Sequence, residues 1–139
     1  MAEDWRLPRV GTSEDPLRLA VFISGSGSGM EALLKHQQAS DCKHTTTVVI
    51  SDKSDVSGLN KAENLGVSAI VVPLPDISDR VERRIIHEQE VGEVLLDYGV
   101  EAIILSGYMR ILTPSFVEQW AGRILNIHPS LLPVFPGAH

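Results

Sequence analysis

The chain has one cysteine, Cys42, so it forms no internal disulfide and its 139 residues are held by packing alone. The length suffices, because a domain of this size buries roughly two thirds of its extended-chain surface around one core. No uninterrupted apolar run approaches the ~20 residues of a membrane span. The opening, MAEDWRLPRVGTSEDP, is acidic and lacks the apolar core of a secretory signal. A cytoplasmic protein that does not touch membranes is expected. Positive charge is also in deficit: 12 Lys and Arg against 18 Asp and Glu leave a net charge of −6. Such a field repels phosphate backbones, and no local basic patch offsets it, so the expected partners are small molecules and not nucleic acid. No ligand cluster shows metal-like spacing, and no metal is expected. Oligomeric state leaves no signature in the residues.

What is present is an ordinary globular composition, 43% hydrophobic and 22% charged. Residues 1–16 mix Pro, Gly, Ser and charges without a period, and read as a mobile N-terminal extension. The domain, 17–139, opens with LRLAVFIS, a continuous apolar run that suits a strand buried on both faces. Helical spacing follows in MEALLKHQQ, then a strand in TTTVVIS, then a helix in GLNKAENLG stopped by Gly66. AIVVPL reads as a third strand. DISDRVERRIIHEQEVGEVLLDYG reads as a long helix capped by Asp76, Ser78 or Asp79 and ended at Gly99. EAIILS is a fourth strand, TPSFVEQW a helix with Thr113 as N-cap and Pro114 at its first position, and RILNI a fifth strand. This alternation predicts an α/β fold, a doubly wound, mainly parallel sheet with helices on both faces and the first strand central. His36, His44 and His87 are expected at the solvent, on or beside helices.

Ligands of such sheets sit beyond the carboxyl ends of the strands, which selects three loops: GSGSG, GYMRIL and HPSLLPVFPGAH. In the first, Gly25, Gly27 and Gly29 free the backbone for positive φ and let successive N–H groups meet an anion at a helix N-terminus. A dinucleotide fingerprint would place its third glycine where Met30 stands, and the lysine of a P-loop is absent. Asp52, just past the second strand, nevertheless stands where a ribose-binding carboxylate would, which keeps a nicotinamide enzyme as an alternative. In the last strand, alternation puts Asn126 and His128 on one side. An amide can donate to an oxyanion and an imidazole can move a proton near neutral pH, a pairing suited to acyl transfer.

Together, ISGSGSGM, SGYMRIL and GRILNIHPSLLPVFPGAH resemble the glycinamide ribonucleotide formyltransferase family, folate-dependent enzymes of de novo purine synthesis, over Leu17 to His139. The resemblance implies transfer of a formyl group from 10-formyltetrahydrofolate, as co-substrate, to the amine of glycinamide ribonucleotide. It implies phosphate binding at Gly27, Ser28 and Gly29, with Gly29 standing where the family usually has Asn. It places Arg84 against the folate, Met109, Arg110, Ile111 and Leu112 along the folate pocket, and Asn126 and His128 at the reacting centre, where Asn126 also contacts the folate. The family's third catalytic group, an aspartate, follows the HPSLLP loop by a few tens of residues. On that count the chain reads as the N-terminal part of the fold, truncated before the aspartate, and residues 1–139 alone are expected to be catalytically silent. Two other readings stand beside this one: a formyltetrahydrofolate deformylase, which hydrolyses the same folate, and a non-catalytic remnant that binds a phosphorylated ligand.

Overall fold

A computed structural model describes residues 6–127. Among them, strands and helices alternate in the order β1 (Leu17–Ile23), α1 (Ser28–His36), β2 (His44–Ser51), α2 (Ser57–Asn64), β3 (Ser68–Val71), α3 (Arg80–Asp97), β4 (Ala102–Ser106), α4 (Pro114–Gln119) and β5 (Ile124–Ile127). Every strand pairing is parallel, and the sheet runs β3-β2-β1-β4-β5. The doubly wound parallel fold with β1 at its centre is therefore what forms. The chain winds outward from β1 to β3, then crosses back to lay β4 on the other flank of β1. The loops after β1 and β4 consequently leave the sheet in different directions and open a crevice between them.

The apolar run of β1 divides by alternation. Leu19, Val21 and Ile23 pack with Met30, Leu34 and Ala62 under α1 and α2. Ala20 and Phe22 pack with Val91, Leu95 and Phe116 under α3 and α4. A strand covered on both faces has no polar face to show, which is why its sequence lacks alternation. Helix ends follow local chemistry. The Asp79 side chain accepts from the Glu82 amide at 2.9 Å, so of the three candidate caps of α3 this is the one used. At Gly66 and Gly99 the backbone turns left-handed, and paired reverse bonds close each helix: Val67 N to Ala62 O with Gly66 N to Glu63 O, and Val100 N to Leu95 O with Gly99 N to Leu96 O.

Three expectations need correction. β3 stops at Val71 and not at Leu74: Val72 N still donates to Ser51 O at 2.9 Å, and Pro73 then has no N–H to continue the ladder. The N-terminal extension is not free of the domain, since residues 6–16 form no helix or strand but are fastened to it by hydrogen bonds. Arg9 grips both carboxylate oxygens of Glu101 at 2.7 and 3.0 Å, Arg6 N donates to Ala121 O, and Leu17 N donates to Lys43 O. The matching charges of Arg9 and Glu101 lie 92 residues apart, so their pairing has no local signal. Finally, only His36 of the three histidines is exposed. His44 begins β2, and His87 is 4% exposed, its Nε2 donating to Val72 O at 2.7 Å.

Candidate functional site

The loop after β1 turns on Gly27, with φ of 65°. A Cβ there would meet Met30 Cε at 2.8 Å and Gly58 Cα at 3.2 Å, so the position is glycine for both its dihedral and its close approach to α2. The sequence reading gave positive φ to Gly25 and Gly29 as well. The structure does not: Gly25 has a conventional φ, and Gly29 is already inside α1. α1 accordingly begins two residues earlier than its apolar spacing showed. Among the described residues no side chain caps its N-terminus, which leaves the first-turn amides of Ser28 and Gly29 without a side-chain acceptor there. Gly27, Ser28 and Gly29, with Gly25, Ser26, Ser106 and Gly107, line a depression of about 200 Å³ between the ends of β1 and β4.

On the other side of the loop after β4 lies a cavity of about 300 Å³. Arg84, Met109, Arg110, Ile111 and Leu112, expected on one pocket from the sequence, all line it. Its apolar floor is Phe22, Val91 and Phe116 with Tyr108, whose ring meets Phe22 edge-on at 5.2 Å. Burial and the nearby Asp52 carboxylate push the Tyr108 phenol up, so it stays protonated. Met109 and Ile111 are 72% and 69% exposed, large apolar side chains left open at the rim of a concave site.

A polar relay holds this loop. Asp52, its side chain fully buried, accepts from Ser24 Oγ at 2.7 Å through one oxygen and from Arg110 Nε at 2.7 Å through the other. Ser24 Oγ in turn accepts from Met109 N at 2.9 Å. Burial pushes the Asp52 carboxyl up, but the hydrogen bonds from Arg110 and Ser24 and the Arg110 charge outweigh it and hold the group below its ordinary value. The ends of β1 and β2 thereby fix the loop that divides the two depressions. This occupies Asp52 fully and removes it as a ribose ligand, which takes away the support for a nicotinamide enzyme.

Sequence reasoning missed Arg80 and Arg83. Both line the same cavity as Arg84, at positions i, i+3 and i+4 of α3. None of the three makes an ion pair among the described residues; Glu88, one helical turn beyond Arg84, accepts instead from the Thr113 amide at 2.8 Å. The R-x-x-R-R spacing carried the signal, but the docking face of α3 decides its use. Asn126 lies near the carboxyl end of β5, exposed, in register with Leu105. His128 and the HPSLLPVFPGAH loop lie outside the described residues.

Comparison with known proteins gives this arrangement its relatives. The formyl transferase family model matches residues 17–139. Phosphoribosylglycinamide formyltransferase of Escherichia coli K12 is 38% identical over 125 residues, which are 88% of this chain and 56% of that protein. The crystal structure of phosphoribosylglycinamide formyltransferase from Brucella melitensis superposes with a TM-score of 0.77 at 41% identity, over 88% of this chain and 62% of that one. The chain thus spans between half and two thirds of the length of these relatives. A formyltetrahydrofolate deformylase from Pseudomonas putida KT2440 shares the fold, with a TM-score of 0.70 at 22% identity over 81% of this chain and 38% of that one. Among the described residues, no helix is long and apolar enough to cross a membrane. With the family model covering everything from β1 onward, the chain belongs to the formyl transferase family.

Proposed function

We propose that the chain takes part in transferring a formyl group from 10-formyltetrahydrofolate to the amine of glycinamide ribonucleotide, and that residues 17–139 are the N-terminal part of the unit that does so. The observation that carries this reading is the pair of depressions on either side of the 107–112 loop. One has helix N-terminal amides without a side-chain acceptor among the described residues, suited to a phosphate; the other has an apolar floor and three arginines that make no ion pair among the described residues, suited to a flat ring with an anionic tail. Folates carry glutamate carboxylates, which Arg80, Arg83 and Arg84 would meet, while Met109 to Leu112 flank the ring. The ribonucleotide phosphate would rest on Gly27, Ser28 and Gly29.

Between the two, the substrate amine attacks the formyl carbon. The Asn126 amide donates to the oxygen that gains charge, and His128 moves the proton from the attacking amine to the folate nitrogen as the carbon–nitrogen bond to the folate breaks. The same reading puts the protein in the cytoplasm, acting on small molecules and not on nucleic acid, in keeping with its net charge of −6. The deformylase alternative replaces the amine by water; no feature of the described site favours it.

Calorimetric titration of the chain with glycinamide ribonucleotide and with a non-transferable 10-formylfolate analogue tests the reading. Arg83→Ala combined with Arg84→Ala should weaken only the folate analogue, and Gly27→Val only the ribonucleotide; binding of neither ligand would sink it. In a chain as long as the E. coli relative, Asn126→Ala or His128→Ala should lower turnover by at least ~100-fold. Formate released without ribonucleotide would mark hydrolysis instead.

A further inference from the structure

At the amino end of the sheet, opposite the two depressions, three side chains with metal-ligating atoms converge. His36 ends α1, Cys42 lies in the following turn and His44 opens β2. Their ligand atoms all lie within 4.8 Å of one another. Cys42 Sγ is 3.7 Å from His44 Nε2. In a tetrahedral zinc site, bonds of about 2.3 Å to sulfur and 2.05 Å to nitrogen put those two atoms about 3.6 Å apart, so this edge of the coordination shell already has its length. The His36 and His44 rings lie 5.9 Å apart and within 26° of parallel, with the exposed His36 offering the third ligand atom.

The backbone that carries these groups is pinned. Reverse turns tie Gln37 N to Leu33 O, Ala39 N to His36 O and Cys42 N to Ala39 O, returning the chain to the helix end, and Lys43 O accepts from Leu17 N on β1. His44 also has the outer partner that metal-binding imidazoles keep. Its Nδ1 is 2.9 Å from Gln37 Nε2, and Gln37 Oε1 accepts from the buried Thr46 hydroxyl at 2.8 Å. When Nε2 binds a cation, Nδ1 carries the proton. The Gln37 amide then turns over to accept from Nδ1–H while its NH2 donates to Thr46 Oγ1, so both tautomers are accommodated.

We propose that His36, Cys42 and His44 bind a borderline-soft divalent cation, zinc foremost, with water as the fourth ligand. One thiolate and two imidazoles suit zinc and exclude calcium and magnesium, which take oxygen ligands. Binding releases the Cys42 thiol proton to solvent and clamps the end of α1 to the start of β2. The H-x5-C-x-H spacing matches no familiar metal motif, and the reverse turns after α1 are what bring the three ligands together.

Titrating the chain with cobalt(II) under reducing conditions tests this. One equivalent should produce a thiolate-to-cobalt charge-transfer band and tetrahedral ligand-field absorption, both abolished by zinc. Cys42→Ser should remove the charge-transfer band, His36→Ala and His44→Ala should each weaken binding by at least ~100-fold, and Gln37→Ala by ~10-fold, with circular dichroism unchanged. Lys53→Ala, an exposed side chain at the carboxyl end of β2, should leave cobalt binding as it is. His36→Ala alters only an exposed side chain, so its result stands even if the other variants fail to fold. No charge-transfer band, or cobalt affinity indifferent to His36→Ala, overturns the proposal.

Discussion

Two glycines in one loop have opposite tolerances. Gly27 sits at φ 65° with Met30 and Gly58 against it, whereas a Cβ on Gly25 meets nothing within 4 Å. Gly27→Ala should lose about 1–2 kcal/mol from the left-handed backbone alone, and more from the contacts. Gly25→Ala should stay within about 0.5 kcal/mol of the parent. Urea unfolding of the two variants checks this, and equal losses would remove the geometric distinction. Asp52 gives a pH signature. Its native value is held below the ordinary 3.8, so the unfolded chain binds the proton more readily. Its contribution to stability is complete above the ordinary value and is lost as pH falls through the lower native one. Urea unfolding across roughly pH 2 to 5 should therefore show stability rising with pH, and Asp52→Asn should flatten that rise.

At the level of elements, α4 is short and depends on its first turn. Thr113 accepts from the Phe116 amide at 3.2 Å, and its hydroxyl also donates to Glu88 on α3. Since Phe116 is part of the cavity floor, the cap of α4 sets the position of a site residue. Thr113→Ala should cost about 1 kcal/mol, and Thr113→Ser should recover most of it. A loss of similar size in both variants would assign the effect to packing of the Thr methyl and not to the cap. The cap was legible in the sequence, as T-P at the start of an apolar pattern. The bond to Glu88 was not, because it joins elements 25 residues apart.

The whole molecule carries a net charge of −6 but gathers three arginines of α3 on one cavity. An anion entering there is attracted by the rim and repelled by the rest of the surface, and salt screens exposed charges over about 8–10 Å. Affinity for the folate analogue should therefore fall as salt is raised from low to physiological strength, and Arg83→Ala should reduce that slope. Calorimetry at several salt concentrations reads it; a slope unchanged by the variant would place the anionic tail elsewhere.

The sequence by itself determined the order and type of every described element, the stops at Gly66 and Gly99, the parallel sheet and the loops that frame the two depressions. Each of these follows from signals within a few residues: an unbroken apolar run for a doubly buried strand, a glycine after a helix, a Thr-Pro before one. Tertiary structure decided which polar groups meet. Asp52 reads from sequence as a ribose ligand, yet it becomes the anchor of Arg110 and, through Ser24, of Met109, because β1 and β2 end side by side. Arg80 and Arg83 join Arg84 because α3 docks with that face over Phe22. His87 is buried by the same docking. Local chemistry sets where the backbone turns. Contacts between residues distant in the chain depend on how whole faces pack, and no short window of sequence contains that.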